Sequence, residues 1–414
     1  MMGDDDVRFV PKDHSLKAEF IYELLSIGEP YGQLRFQKWK SMSSRGIEQF
    51  ANSHPNTFLR RTNRGIPQRY RWESWKVALS YNHYNSLVGD LYESYATQDN
   101  EYVSIINIDV PRTFPELKVF NKDAQNQLYR ILSAYGNYQP EIGYCQGMNF
   151  VAGLLLLVSG FNEKEAFVGF VGLMNEFKLQ EFYKPSFPMI KTYIRGFERL
   201  LRELAPDLYE HLMREEVSVA VFLHQWAMSC LPAVSAYFIS VNPETCRFLT
   251  MFVASLPLRT VVALWDYMLY NGLSSILTVS LGLMWLLMPQ ITRLNFEGIL
   301  TLLKDIKCSD SKDDLRVGRV IINQAHRIAV TTVDINEYLD LSSSVNDFEY
   351  SDSENNESYE SHDTSSGGSK SAKSASYKDS SESKSSSYNY SSDSKSSRSC
   401  QSSGDKSSSY TDSE

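Results

Sequence analysis

The chain has few of the residues from which a self-contained catalyst or an extracellular scaffold is built. It has five cysteines, at 145, 230, 246, 308 and 400, with no C-x-x-C spacing and an odd total. That pattern argues for free thiols in a reducing compartment and against a disulfide framework or a zinc site. His211, His224 and His326 stand near no serine or cysteine with an orienting acid, so they read as satisfied core or surface residues. The chain contains no phosphate loop, no nucleophile elbow and no metal-ligand cluster. Charge of one sign is also lacking outside the tail. Residues 341–414 carry 13 acids against 7 bases, which leaves only −3 of the overall −9 to residues 1–340. A nucleic-acid binder would show a basic patch or stripe, so no nucleic-acid partner is expected. The first residues, MMGDDDVRF, include no apolar run, so no secretory signal is expected.

Strand signals are equally sparse. Residues 103–110 form the only alternating run, and it is short. Helical spacing dominates elsewhere. Pro67 suits the first turn of a helix that places Trp72, Trp75 and Leu79 on one face. Asp123 can cap a helix carrying Leu128, Ile131, Leu132 and Tyr135 at i, i+3, i+4 and i+7. Asn162 with Glu165 has the form of a capping box. Ile194, Phe197, Leu201 and Leu204 mark an amphipathic helix, Pro206 starts the next, Asn295 can cap residues 296–304, and Asp313 can cap a last helix. One long uncharged stretch, residues 267–291, raises the question of a membrane span. Asn271-Gly272 breaks it, so two buried helices are expected, residues 276–288 being central. The fold class is all-α.

Two segments stand out chemically. In IINIDVPRTFPE, residues 105–116, Pro111 and Pro115 bracket Arg112 and disfavour a continuous helix. Arg112 is therefore expected to project from a stiff loop. Asp109, three residues upstream, can hold the guanidinium by charge-assisted hydrogen bonds. In GYCQGMNFVAG, residues 143–153, Gly143 and Gly147 flank Tyr144, Cys145 and Gln146 just before an apolar run. Gln146 then sits near the start of a buried helix with donors and an acceptor to offer, which suits positioning a water. Taken alone, each segment has a plainer reading: a loop-stapling ion pair for Arg112 with Asp109, and a helix-end hydrogen-bond partner for Gln146.

A third segment, RGIPQRYRWESW at residues 64–75, changes the balance. The three in this order resemble the TBC domain, the helical module that activates Rab-type small GTPases. RGIPQRYRWESW is similar to its RGxPxxxRxxxW start, IINIDVPRTFPE to its IxxDxxR motif and GYCQGM to its YxQGM motif; the resemblance continues through LWDYMLYNG, residues 264–272, and covers roughly residues 64–290. It implies that Arg112 and Gln146 are two catalytic fingers. Asp109 would orient the arginine, and Tyr144 and Gly147 would shape the glutamine loop. Arg64 and Arg69 are read as supporting, as helix-end or inter-motif ion pairs. The implied partner is a Rab-family small GTPase. The protein would carry no cofactor of its own, acting on GTP-Mg held by the partner, and would activate that enzyme rather than be one. A cytoplasmic protein is implied, peripheral on endomembranes through its partner and without an integral membrane segment.

The chain departs from the family pattern after Gln225-Trp226. Residues 227–247, AMSCLPAVSAYFISVNPETCR, interrupt a helical stretch. Three readings stand open: a partner-binding loop, an accommodated hairpin, or retained unspliced sequence. The interruption keeps a second function in view, that of a non-catalytic scaffold or effector that binds a GTPase in membrane traffic. Residues 1–63 read as an extension with some helix, and residues 64–330 as the domain. Residues 341–414 read as a disordered Ser-rich tail, too poor in aliphatic residues to order itself, with Ser-Asp-Ser and Ser-Glu-Ser runs suited to phosphorylation.

Overall fold

Proline, glycine and asparagine set most of the helix boundaries. A computed structural model describes residues 33–184, 188–219, 250–305, 314–331 and 335–344 of the chain, all of which fall in the first of two units divided after Glu349. Helices α1 (Gln33–Ser43), α2 (Ile47–Ser53) and α3 (Pro55–Asn63) are separated by Gly46, at φ 84°, and by His54 before Pro55. Pro67 precedes α4 (Gln68–Ala78), and α5 (Tyr81–Val88) and α6 (Tyr92–Ala96) follow. Next come α7 (Val103–Asp109), a 3-10 turn at Val110–Arg112, α8 (Lys122–Tyr138), α9 (Met148–Val158) and α10 (Glu163–Glu176). The C-terminal group comprises α11 (Pro188–Leu204), α12 (Pro206–Arg214), α13 (Leu258–Asn271), α14 (Ser275–Ile291), α15 (Phe296–Asp305), α16 (Asp314–Thr331) and α17 (Ile335–Ser344). Among the described residues there is no strand. The protein is all-α.

One core runs through both groups. In the first, α9 lies against α8 and α10, and all 11 of its residues are buried. In the second, α16 packs on α13 and α14, while α11 packs on α17. Helix α4 bridges the groups through a buried ion pair. Arg71 Nε donates to Asp266 Oδ1 at 3.0 Å, both side chains being 0% exposed. Trp75 Nε1 donates to the same oxygen at 3.0 Å, and the Ile66 N–H to Oδ2 at 3.2 Å. A charge removed from water must be compensated this fully to be tolerated.

Several expectations are adjusted. The alternating run at residues 103–110 is helix α7 and its 3-10 continuation, because Ile106 and Asp109 are the positions that turn inward. The cap of α8 is Asn121, whose side chain accepts from the N–H groups of Asp123 and Ala124; Asp123 falls inside the first turn, where its carboxylate favours the positive helix end. Asn162 does accept from the Glu165 N–H at 3.1 Å, but the Glu165 carboxylate turns to Trp72 Nε1 and Lys76 instead of closing the box. Helix α14 is buried without interruption only from Ser275 to Met284 and again at Ile291; Trp285 is half-buried and Leu286 is exposed. The fully enclosed helix is α9.

Within the extension, residues 33–63 are helical and pack on the domain. Trp39 stacks on Tyr70 at 6.0 Å between ring centroids and meets Phe58 edge-on at 6.3 Å. At the other end, helix α17 continues to Ser344, since Ile335, Tyr338 and Leu339 form an apolar stripe at helical spacing against α11. No helix among the described residues is long and apolar enough to cross a membrane, and Gly272, at φ 81°, separates α13 from α14 as Asn271-Gly272 suggested. The interruption at residues 227–247, the cap at Asp313, His224, the cysteines other than Cys145 and the tail beyond Ser344 lie outside the described residues.

Candidate functional site

Arg112 ends the 3-10 turn that extends α7. The expected stiff loop is thus a short helical turn, because Pro111 occupies a position near its start where no N–H is needed. The Arg112 side chain is 39% exposed, whereas that of Asp109 is 1% exposed. The guanidinium Nη2 is bonded to Asp109 Oδ1, and the buried Nε has no partner among the described residues. The arginine is therefore held at its inner edge by a buried carboxylate. Its direction is set while part of it faces solvent.

The other carboxylate oxygen is equally occupied. Tyr144 donates its hydroxyl to Asp109 Oδ2 at 2.6 Å. Burial first, and the Asp109 charge second, push the Tyr144 hydroxyl well above its ordinary pKa, so it remains a donor at neutral pH. Asp109 thus touches both segments, taking Arg112 from its own turn and Tyr144 from the glutamine loop.

Gln146 lies two residues before α9, half-exposed, and makes no hydrogen bond among the described residues. Its neighbours fix the loop. Gly147 is the N-cap of α9 at φ 102°, a backbone region that favours glycine. Gly143 has φ 62°, and a Cβ there would meet the Tyr102 ring and hydroxyl at 2.2 Å. Cys145 is half-buried, and its thiol faces the Tyr183 carbonyl at 3.8 Å.

The structure adds a residue that the sequence reading passed over. Asn149, in the first turn of α9 and 1% exposed, accepts from the Gly147 N–H at 2.9 Å and donates to Thr113 Oγ1 at 2.8 Å. The available signal was a lone carboxamide opening an otherwise apolar run, since a polar side chain so placed must find buried partners.

Arg64 and Arg69 are not part of this cluster. Both are exposed and neither makes an ion pair among the described residues. Arg64 does occupy the C-cap of α3, but the inter-motif ion pair belongs to Arg71. The reason is register: Arg71 and Trp75 are four apart on α4 and face Asp266 together, whereas Arg69 falls on the solvent side. No group of three or more His, Cys, Asp or Glu among the described residues could hold a metal ion. His211 is the satisfied core residue expected, its Nε2 lying 3.0 Å from the Ile291 carbonyl.

A cationic guanidinium and an unengaged carboxamide thus stand at the surface on a shared buried support. This arrangement can stabilise developing negative charge and orient a small polar molecule, and it offers no nucleophile. Comparison with known proteins sets it in context. The family model of the Rab-GTPase-TBC domain matches residues 68–240. The chain is 33% identical over 248 residues to the Rab GTPase-activating protein eat-17 of Caenorhabditis elegans, covering 59% of this chain and 25% of that protein. It is 30% identical over 255 residues to the GTPase-activating protein GYP5 of Saccharomyces cerevisiae, covering 62% and 25%. The chain therefore spans about a quarter of the length of these curated relatives. In fold it is similar to the Chlamydomonas flagellar RabGAP TBC domain, with a TM-score of 0.53 at 19% identity over 73% of this chain and 97% of that one. The Ypt/Rab-GAP domain of Gyp1p gives 0.53 at 17% identity over 68% and 97%. With its three motifs in order, the chain carries a segment, residues 68–240, that matches the Rab-GTPase-TBC domain, and it is similar in sequence to Rab GTPase-activating proteins.

Proposed function

We propose that this protein accelerates GTP hydrolysis by a Rab-family small GTPase, supplying Arg112 and Gln146 in trans. GTP hydrolysis passes through a loose transition state with charge spread over the phosphoryl oxygens, so catalysis is mostly positioning and electrostatic stabilisation. Arg112 supplies positive charge to those oxygens. An arginine inserted in this way is worth about 10³ to 10⁵ in rate, or roughly 4 to 7 kcal/mol. Gln146 orients the attacking water, a task that commonly falls to a glutamine of the GTPase itself. Nucleotide and magnesium stay with the partner, and the protein acts where that partner resides, in the cytoplasm and at the membrane the GTPase occupies.

The observation that carries this reading is the Asp109 carboxylate, which holds Arg112 with one oxygen and the glutamine loop, through Tyr144, with the other. A loop staple would have no need to reach the second loop, nor to leave Gln146 unengaged beside it. Single-turnover GTP hydrolysis across a panel of Rab-family GTPases tests the proposal. The wild-type protein stimulates at least one of them, and Arg112→Ala and Gln146→Ala each abolish that stimulation. Binding to a GTPase without stimulating any would make the protein a scaffold instead.

A further inference from the structure

We infer that Asn149 is a positioning residue that ties the arginine turn to the glutamine loop, so that Arg112 and Gln146 act as one unit. The inference rests on the two-donor reading above. Asn149 bonds to the residues that immediately follow each donor. Its Oδ1 takes the Gly147 N–H at 2.9 Å and its Nδ2 gives to Thr113 Oγ1 at 2.8 Å. The amide can face only one way: the Gly147 N–H requires an oxygen, which leaves the nitrogen for Thr113. The Thr113 hydroxyl then donates to the Asp109 carbonyl at 3.0 Å, and Asn149 Nδ2 lies 3.5 Å from that same carbonyl. On its other side, Oδ1 lies 3.4 Å from the Tyr144 hydroxyl.

The carboxamide is thus a strut one side chain long between the two backbone segments, rooted in the fully buried helix α9. Tyr144–Asp109 links the same segments through side chains, whereas Asn149 holds the Gly147 backbone N–H directly and reaches the backbone of the arginine turn through the Thr113 hydroxyl. Hydrogen bonds in such a low-dielectric, fully satisfied network are strong and specify one geometry. Catalysis by positioning is sensitive to that geometry, a misplacement of about 1 Å costing on the order of 10²-fold.

Two isosteric variants test the strut from its two ends, Asn149→Leu and Thr113→Val, both in the full chain. With the GTPase that wild type stimulates, each variant lowers the single-turnover rate at saturation by about ten- to hundred-fold, while affinity for the GTP-loaded partner stays within about two-fold. A loss confined to affinity, or a saturating rate left unchanged in both variants, would overturn the proposal. Should Asn149→Leu fail to fold, Thr113→Val decides.

Hydrogen exchange separates this inference from the two-donor reading. If Arg112→Ala and Gln146→Ala leave stimulation intact, or no GTPase is stimulated, the two-donor reading has failed, and exchange judges the tie alone. Faster exchange in both segments 109–113 and 144–148 of the Asn149→Leu protein, with α13 unchanged, supports the tie. Acceleration in one segment only, in neither, or throughout the domain contradicts it.

Discussion

Tyr144 donates to Asp109 Oδ2 at 2.6 Å, and the opposite oxygen of that carboxylate holds Arg112. One buried acid therefore sets the direction of the arginine and the position of the loop that carries Gln146. Tyr144→Phe removes the hydroxyl without changing the ring and leaves an acceptor of Asp109 without its donor in the interior. Such a loss costs about 1–3 kcal/mol of stability. The expected outcome is a lower melting temperature together with about a ten-fold slower single-turnover hydrolysis at saturation; an unchanged rate would assign Tyr144 to stability alone.

Gly143 tests the loop from its other end. With φ at 62° and Tyr102 2.2 Å from where a Cβ would lie, Gly143→Ala must push the Tyr102 ring aside as well as strain the backbone, at roughly 1–3 kcal/mol for the strain. Hydrolysis should fall more steeply than stability does. The paired measurements are a melting curve and the saturating rate.

Asp266 is the structural counterpart of Asp109. It accepts from Arg71 Nε, Trp75 Nε1 and the Ile66 N–H, all inside the core. Removing one partner of a buried pair costs about 3–5 kcal/mol. Asp266→Leu should therefore unfold the domain at a markedly lower urea concentration. Arg71→Met should do less harm, because Trp75 and Ile66 still donate to the carboxylate and the Arg319 guanidinium, 3.6 Å from Oδ2, still offsets its charge. The order of the two urea midpoints is the test, and the reverse order would contradict it.

Alkaline titration reads the tyrosines. Burial raises Tyr144, Tyr183 and Tyr270 well above the ordinary tyrosine value and brings Tyr81, Tyr84 and Tyr338 to about 12. A group whose pKa is raised by folding stabilises the fold fully below its unfolded value, near 10, and ceases to do so as pH rises through its folded value. Phenolate absorbance at 295 nm should therefore lag behind that of the protein in guanidinium up to about pH 11, then rise together with the loss of helical circular dichroism. A smooth rise before unfolding would show the hydroxyls to be accessible.

The sequence was most informative where a single chemical feature determined local structure. Asn271-Gly272 divided an uncharged stretch into α13 and α14, and Asn295 capped α15 through the Gly298 N–H. The three motifs singled out Asp109, Arg112, Tyr144 and Gly147, which the fold links through hydrogen bonds, and Gln146, which stands unbonded between Tyr144 and Gly147 in the chain. What could not be read was which of several similar residues finds a partner across the fold. Arg64, Arg69 and Arg71 look alike in sequence, and only the register of α4 against α13 selects Arg71. The lone acid among apolar residues, Asp266, was the hint. Asn149 was passed over because its partners, Gly147 and Thr113, lie on separate segments that only the packed fold brings within reach of one side chain. Residues 103–110 alternate in sequence yet form a helix, since burial of Ile106 and Asp109 decides in so short a run.

The most direct test of the central claim uses a GTPase that has lost its own water-orienting glutamine. If Gln146 supplies that function from outside, the wild-type protein still stimulates single-turnover hydrolysis by such a GTPase, and Gln146→Ala and Arg112→Ala each remove the stimulation. If the altered GTPase gives no response to a wild-type protein that stimulates the unaltered one, the water is oriented by the GTPase, and Gln146 is not a catalytic residue.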